Sequence, residues 1–230
     1  MKKITLLLLS VLLIATYTLK AQKQFAGEIQ LKMKIEGTDD PNLLSGLGLD
    51  NMTSVVSVLG NKSKVVQTIE GMYSMTLIQD GDNETNTIII EAMGMGKYYK
   101  KTTTEELKEK NKFLDYSYKY IDEYKEVCGY KCQKVIGTVT NLEDDSNTET
   151  IYYVTKEIGG SKINNVSEHL GLEGFPLITL TPMPQFCDEC MMSLEAIKIT
   201  PKKIKEVDFL LPSDAKNLDD EPELKEMFGF

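Results

Sequence analysis

The stretch that decides the fold is EVCGYKCQKVIGTVT at residues 126–140, followed after a polar turn by TIYYVT at residues 150–155. Both segments are rich in β-branched and aromatic residues, a composition typical of antiparallel strands joined by tight turns. The stretch also holds two of the four cysteines, Cys128 and Cys132. On one straight strand their Cα atoms would lie about 13 Å apart, whereas a disulfide requires about 7 Å or less. A bond between them therefore requires Gly129, Tyr130 and Lys131 to form a turn.

The rest of the chain extends this strand pattern in both directions. Apolar and polar residues alternate from Phe25 to Glu36, which predicts a half-buried antiparallel strand. Gly60-Asn61 and the segment 80–83 each separate two strand-like runs, as hairpin turns do. Further strands are predicted near residues 97–100, 116–127, 175–180, 191–200 and 207–211. Residues 158–173, which contain several glycines, are expected to be irregular.

Helical signals are few. Thr102 or Thr103, followed by Glu105 or Glu106, fits the capping box that begins a helix, and residues 221–227 fit a short terminal helix. Because the strands do not alternate with helices, a doubly wound α/β fold is disfavoured. The sequence predicts a mainly β fold: a single curved antiparallel sheet of about ten or eleven strands, shaped as a half-open barrel, with two or three short lid helices.

The first 21 residues have the features of a secretory signal peptide. Lys2 and Lys3 precede an apolar run of about a dozen residues, and Ala21 offers a small residue for cleavage. The first cysteine is Cys128, so the lipid-anchor cysteine expected at a cleavage point is absent. We therefore expect residues 22–230 to form one domain with an acidic tail at about 214–230, secreted or periplasmic and not integral to the membrane.

The formal net charge of −9 and the absence of arginine restrict the possible partners. An acidic surface repels phosphate groups, so nucleic acid is not an expected partner. No cofactor is expected. His169 is the only histidine, and a surface position in a loop is its expected role. We accordingly predict no catalytic residues and a protein that is not an enzyme.

The four cysteines, Cys128, Cys132, Cys187 and Cys190, have spacings that superficially resemble a four-thiolate metal site. A secreted protein favours structural disulfides instead, because its thiols tend to oxidise. Four cysteines allow three pairings, and the sequence leaves all three open. We predict no metal site and a role as oxidised thiols, with Cys128 and Cys132 at a hairpin corner.

Apolar residues outside the regular strands are candidates for covering the sheet or lining a cavity. Methionine side chains fill irregular apolar spaces, and a curved sheet with few helices has little of its own to cover its apolar face. Residues 43–49 and 103–112 are the predicted lids. The predicted lid and cavity residues are Leu43, Leu44, Leu47, Leu49, Met72, Met75, Met93 and Met95.

Several short motifs resemble the DUF4412 family of secreted Bacteroidetes proteins. They are Gln24-Phe25-x-Gly27-x-Ile29, then Val127, Gly129, Tyr130, Cys132 and Lys134, then residues 151–154 and 174–177, and last Val207, Phe209, Leu211 and Pro212. That family is similar to the lipoprotein carriers and receptors of the LolA/LolB type. The resemblance implies a half-open antiparallel barrel that holds acyl chains in an apolar cavity under helical lids. Cys128, Cys187, Cys190 and the segment 42–51 depart from the family pattern.

Two functions follow as hypotheses. The first is a non-enzymatic periplasmic or envelope binding protein that holds an acyl chain, a lipoprotein or another apolar ligand in the half-barrel. The second is a structural or interaction module, such as an accessory subunit of an outer-membrane assembly, whose barrel is filled by its own side chains.

Overall fold

The computed structural model describes residues 24–38, 43–46, 52–69, 71, 73–92 and 94–230. These residues form one sheet of twelve strands: β1 (Ala26–Glu36), β2 (Met52–Leu59), β3 (Lys62–Ile69), β4 (Tyr73–Asp80), β5 (Thr85–Ala92), β6 (Gly96–Thr103), β7 (Leu114–Val127), β8 (Tyr130–Asn141), β9 (Asn147–Thr155), β10 (Phe175–Pro182), β11 (Met191–Pro201) and β12 (Lys216–Asn217). The helices are short: α1 (Leu43–Gly46), α2 (Thr104–Lys110), α3 (Ser161–Asn164) and α4 (Pro222–Met227), with 3-10 turns at Glu206–Phe209 and Leu218–Asp220. The predicted signal peptide lies outside the described residues.

The sheet consists of two antiparallel meanders joined at their centre. Its strand order is β12-β6-β5-β4-β3-β2-β1-β11-β10-β9-β8-β7. Strands β1 to β6 form one meander and β7 to β11 the other, and the long β1–β11 pairing joins them. The short strand β12 pairs with β6 in parallel. The sheet is open, and the prediction of a mainly β, single-sheet fold is confirmed.

Contacts between distant strands show that the sheet is strongly curved. The turn between β7 and β8 lies near one edge, yet the Cys128 thiol donates to the Ala196 carbonyl of β11 at 3.3 Å. The ring of Tyr130 in β8 packs edge-on against Phe25, with 6.4 Å between ring centroids. The last strands therefore bend back over the centre of the sheet.

Two apolar layers cover opposite faces of the sheet. Directly paired residues of antiparallel strands lie on the same face, so the register defines an inner face that carries Ile29, Val56, Val65, Leu77 and Ile88. The largest buried cluster, which includes Ile29, Val56 and Val58, contains residues of this inner face. A separate cluster on the outer face joins Ile78 and Ile89 to Ile204 and Phe209 of the C-terminal segment.

The local predictions agree with the structure except near the C terminus and at residues 161–164, where α3 lies in a segment that was expected to be irregular. Thr103 caps α2 and forms a capping box with Glu106, as the sequence indicated, and α4 lies where a terminal helix was expected. The prediction of a strand at 207–211 is wrong, because Glu206–Phe209 forms a 3-10 turn that places Phe209 on the outer cluster. The two-residue strand β12 was not predicted, since so short a parallel pairing leaves no periodic signal.

The outer cluster yields a stability prediction. Phe209 is 8% exposed and packs with three isoleucines, so we expect Phe209→Ala to lower the free energy of unfolding by about 3 kcal/mol. Urea unfolding followed by circular dichroism measures this change. The neighbouring Leu210 is 65% exposed, and Leu210→Ala is expected to change stability by less than about 0.5 kcal/mol. Equal effects of the two substitutions would contradict the assignment of Phe209 to a packed cluster.

Candidate functional site

A cavity lies between the inner face of the sheet and residues 161–173, which we call the cover segment. Its volume is about 440 Å³, within the range of about 300–1,000 Å³ found for small-molecule sites. Seven strands, β1 to β5, β10 and β11, supply its floor and walls.

Aliphatic side chains dominate the cavity wall. On the sheet they are Leu31, Val56, Val65, Met75, Leu77, Ile88 and Leu194, joined by Phe175 and Pro176, and on the cover segment by Ile163. Phe175 is the one aromatic residue among these apolar side chains. The alternation of the strands explains the pattern, because every second residue of β3, β4 and β5 faces inward.

The cover segment is held at both ends by polar contacts. At one end Lys162 pairs with Asp82 in the β4–β5 turn at 3.0 Å. Its backbone lies so close to Gly81 that a Cβ there would approach the Lys162 carbonyl carbon to 2.6 Å, so glycine permits the contact. At the other end the backbone N–H of Glu173 donates to the hydroxyl of Tyr120 in β7 at 2.7 Å. The buried amide of Asn164 closes the segment on itself by donating to the carbonyls of Leu172 and Gly174 at 2.8 and 2.7 Å.

A row of polar side chains crosses the cavity wall. Ser63, Gln79 and Asn86 are directly paired across β3, β4 and β5, and all three line the cavity. The Ser63 hydroxyl donates to Gln79 Oε1 at 2.7 Å, whereas Asn86 Oδ1 is buried and accepts no hydrogen bond. These three residues were not identified from the sequence as part of a site. The signal that could have identified them is the occurrence of polar residues at inward positions of three neighbouring strands.

His169 lies beside this cavity and is not the surface residue that was expected. Its Nδ1 is 3.3 Å from the hydroxyl of Tyr152, and the two rings meet edge-on with centroids 5.3 Å apart. Burial lowers the pKa of His169, while the nearby Glu168 opposes the shift. The cause of the misassignment is that residues 164–172 fold back under tyrosines of β7 and β9, a long-range packing that a glycine-flanked loop sequence does not indicate.

The cavity lining is nearly free of charge. Among the described residues that line it, none is a lysine, and Glu168 is the one carboxylate. No group of three or more His, Cys, Asp or Glu side chains in the described part of the chain is placed to hold a metal ion. No helix among the described residues has the length and hydrophobicity of a membrane span.

The predicted lid and cavity residues occupy different places. Met75 lines the cavity, whereas Met95 is exposed in the β5–β6 turn. Helix α2 contributes no side chain to the lining and begins beside the β4–β5 turn, where Thr104 donates to the Glu84 carbonyl at 3.0 Å. Leu47, Leu49, Met72 and Met93, and the side chains of Leu43 and Leu44, lie outside the described residues. The cover segment, which was not predicted, lies where the lid was expected.

The cysteines divide into one disulfide and two thiols. Cys187 and Cys190 are bonded, with their Cα atoms 5.1 Å apart in the β10–β11 loop. The prediction of oxidised thiols at Cys128 and Cys132 is corrected, because both are free. Cys128 and Gly129, with φ of 51° and 85°, form the two-residue turn of the β7–β8 hairpin. Cys132 lies beyond the turn, opposite Lys125 in the ladder, and is fully buried.

The environment of His169 predicts a pH dependence of stability. Its pKa is lowered in the folded protein from an ordinary value of 6.5, so the unfolded chain gains a proton first as the pH falls. The contribution of neutral His169 to the free energy of unfolding is therefore fully present above about pH 6.5. Below that pH the free energy of unfolding falls, by at most about 1.4 kcal/mol per pH unit. Urea unfolding at pH 7.5, 6.5 and 5.5 is expected to show this slope in the native sequence and a flatter one in His169→Gln. Equal slopes would refute the assignment.

The thiols predict a pattern of chemical reactivity. Without denaturant or reductant, Cys128 is expected to react with Ellman's reagent, and Cys132 only after unfolding. Partial burial and the Glu195 carboxylate raise the pKa of Cys128, and burial raises that of Cys132 to about 11. The reaction of Cys128 should therefore be slow at pH 7, accelerate through pH 9, and be faster at pH 8 in Glu195→Gln. Two rapidly reacting thiols, or none after unfolding without reductant, would contradict this pattern.

Comparisons with known proteins bear on the fold. No protein-family model matches the chain, and no curated protein is significantly similar to it. Two solved structures of PNGF-II, in the C2 and P21 space groups, are similar to 88% and 87% of this chain, with TM-scores of 0.55 and 0.52 and sequence identities of 13% and 12%. The matched part spans 32% and 33% of those chains, about a third of their length. At this identity the likeness concerns the fold alone.

Proposed function

We propose that this protein is a non-enzymatic binding protein of the bacterial periplasm or envelope that holds an acyl chain, a lipoprotein or another apolar ligand in its half-barrel. The observation that carries the proposal is the cavity of about 440 Å³ whose walls are mainly aliphatic. The Cys187–Cys190 disulfide supports an oxidising compartment. The resemblance to the DUF4412 family and to carriers of the LolA/LolB type stays a prediction.

The size of the cavity limits the length of the ligand. At roughly 30 Å³ for each water-sized group, a volume of about 440 Å³ holds a chain of on the order of a dozen carbon atoms. Burial of each methylene contributes about 0.8 kcal/mol, which corresponds to about fourfold in Kd. Affinity should therefore rise steeply with chain length until the cavity is full and then level off.

A chain-length series tests the proposal. We expect the protein to take up the neutral dye N-phenyl-1-naphthylamine, and 1-octanol, 1-decanol and 1-dodecanol to displace it with Kd values that fall about fourfold per methylene. Mass spectrometry of gently purified protein is expected to detect co-purified lipid. Protein that contains no lipid and takes up no dye would refute the proposal.

Two adjacent valines provide the matched variants. Val65 lines the cavity, whereas Val66 is paired with Val55 and Thr76 on the outer face, and both are half-buried. Val65→Trp is expected to weaken dye and alkanol binding at least tenfold, because the indole occupies the cavity. Val66→Trp should leave binding unchanged. Equal losses in the two variants would place the ligand elsewhere.

A second candidate is an interaction or structural module, such as an accessory subunit of an outer-membrane assembly. The observation that favours it is a group of exposed apolar side chains on the C-terminal segment, in which Val207, Leu210 and Leu211 are 60%, 65% and 39% exposed. Cross-linking in intact envelopes separates the two candidates. A stoichiometric protein partner that is lost with Leu210→Ala, without bound lipid, would favour this module over the carrier.

A further inference from the structure

Glu168 is the one carboxylate of the described cavity lining, and it lies where the cavity opens. The residue lines the cavity and is also exposed to solvent, so it belongs to the rim. The rest of the described lining contains no lysine and no aspartate. The head group of an amphiphile whose tail fills the cavity would therefore lie near a single ionised group.

Two tyrosines show on which side the Glu168 carboxylate lies. Burial raises the pKa of Tyr116 in β7, and the negative charge of Glu168 adds to the rise. Burial and the same charge raise the pKa of Tyr152 in β9. Tyr152 is hydrogen-bonded to His169, which lines the cavity. Because the energy between two charges falls with their distance, the carboxylate lies near these phenols, on the side of the cavity.

No lysine of the described chain neutralises Glu168. The carboxylate forms no ion pair with any described residue. The other charged groups of the cover segment do have partners. Lys162 Nζ lies 3.0 Å from the carboxylate of Asp82. The carboxylate of Glu173 lies 2.8 Å from Lys156 Nζ. Glu168 is therefore the charge of the cover segment that is available to a ligand.

The surroundings of this carboxylate favour a positive head group. Burial lowers the pKa of His169 below its ordinary 6.5, so the imidazole is neutral at pH 7.5 and supplies no countercharge. The net charge of −9 acts in the same direction as Glu168 at longer range, until salt screens it. A cationic head group at the opening is attracted and an anionic one is repelled, and neither has to leave the solvent completely.

We propose that the cavity selects amphiphiles with a cationic head group, which pairs with Glu168 at the opening while the alkyl chain lies in the cavity, over anionic amphiphiles with the same chain. This inference rests on the proposed apolar-ligand function and specifies its ligand class.

Head-group competition tests this selection. Decylammonium, 1-decanol and decanoate share one chain length, and each is used to displace N-phenyl-1-naphthylamine at pH 7.5 and low salt, below its solubility or critical micelle concentration. An exposed ion pair changes affinity by up to about fivefold. With attraction of one ion and repulsion of the other, we expect decylammonium to bind about tenfold more tightly than decanoate. Sodium chloride at about 0.5 M should reduce this ratio to less than about threefold, because it screens the charges.

Two carboxylate-to-amide substitutions on the cover segment separate Glu168 from the net charge of the protein. Glu168→Gln is expected to weaken decylammonium binding about fivefold and to strengthen decanoate binding, while binding of 1-decanol and of the dye stays unchanged. Glu173→Gln removes the same charge from a residue that does not line the cavity, and it should retain the ratio. Thermal unfolding verifies that each variant is folded.

The outcomes are distinguishable. Decanoate binding as tight as that of decylammonium, a ratio that does not depend on salt, or a ratio unchanged in Glu168→Gln would overturn the head-group inference and leave the apolar-ligand function standing. Equal losses in Glu168→Gln and Glu173→Gln would overturn the assignment to Glu168. Absence of binding by the dye and all three amphiphiles would overturn both.

Discussion

The connection between β6 and β7 constrains the whole sheet. These strands are ten inter-strand spacings apart in the sheet order, or about 48 Å if the sheet were flat. Only residues 104–113 join them, and the seven residues of α2 advance about 10 Å. With the remaining residues extended, the connection spans about 25 Å. This connection is too short to join β6 and β7 in a flat sheet, so the sheet must curl until the two strands lie within about 25 Å of each other. The curl creates the inner face on which the cavity lies.

The two halves of the inner face are filled differently. In the β7–β9 half, Tyr118, Tyr120 and Tyr152 pack around the fully buried Leu172 of the cover segment. In the β2–β5 half the inward positions carry serine, valine, leucine, isoleucine, methionine and amides, and a cavity remains between them and the cover segment. The same backbone thus supports a packed core on one side and a cavity on the other, and side-chain size decides which. Because Leu172 packs in the β7–β9 half, that half holds the cover segment in place over the cavity.

The sequence was most informative where a signal is local. The alternation from Phe25 to Glu36, the hairpin turns and the capping box of Thr103 each depend on residues close in the chain, and each is present in the structure. The β1–β11 pairing joins residues more than 150 positions apart, and no local pattern specifies it. The same limit applies to His169 and to the cover segment, whose positions depend on tyrosines of β7 and β9. Cys128 and Cys132 were misassigned because their spacing allows a turn but does not reveal that Cys132 faces the core.

The short strand β12 has a consequence for self-association. It pairs with Tyr98 and Tyr99 of β6 and so covers part of one edge of the sheet. The ion pairs Lys97–Asp214 and Lys100–Asp219 hold the C-terminal segment there. The opposite edge, β7, has fourteen residues and carries a register irregularity between Tyr120 and Tyr124, a feature that disfavours strand addition. Each edge of the sheet thus carries a feature that disfavours the addition of a strand from another molecule, and self-association through the sheet edges is opposed at both ends.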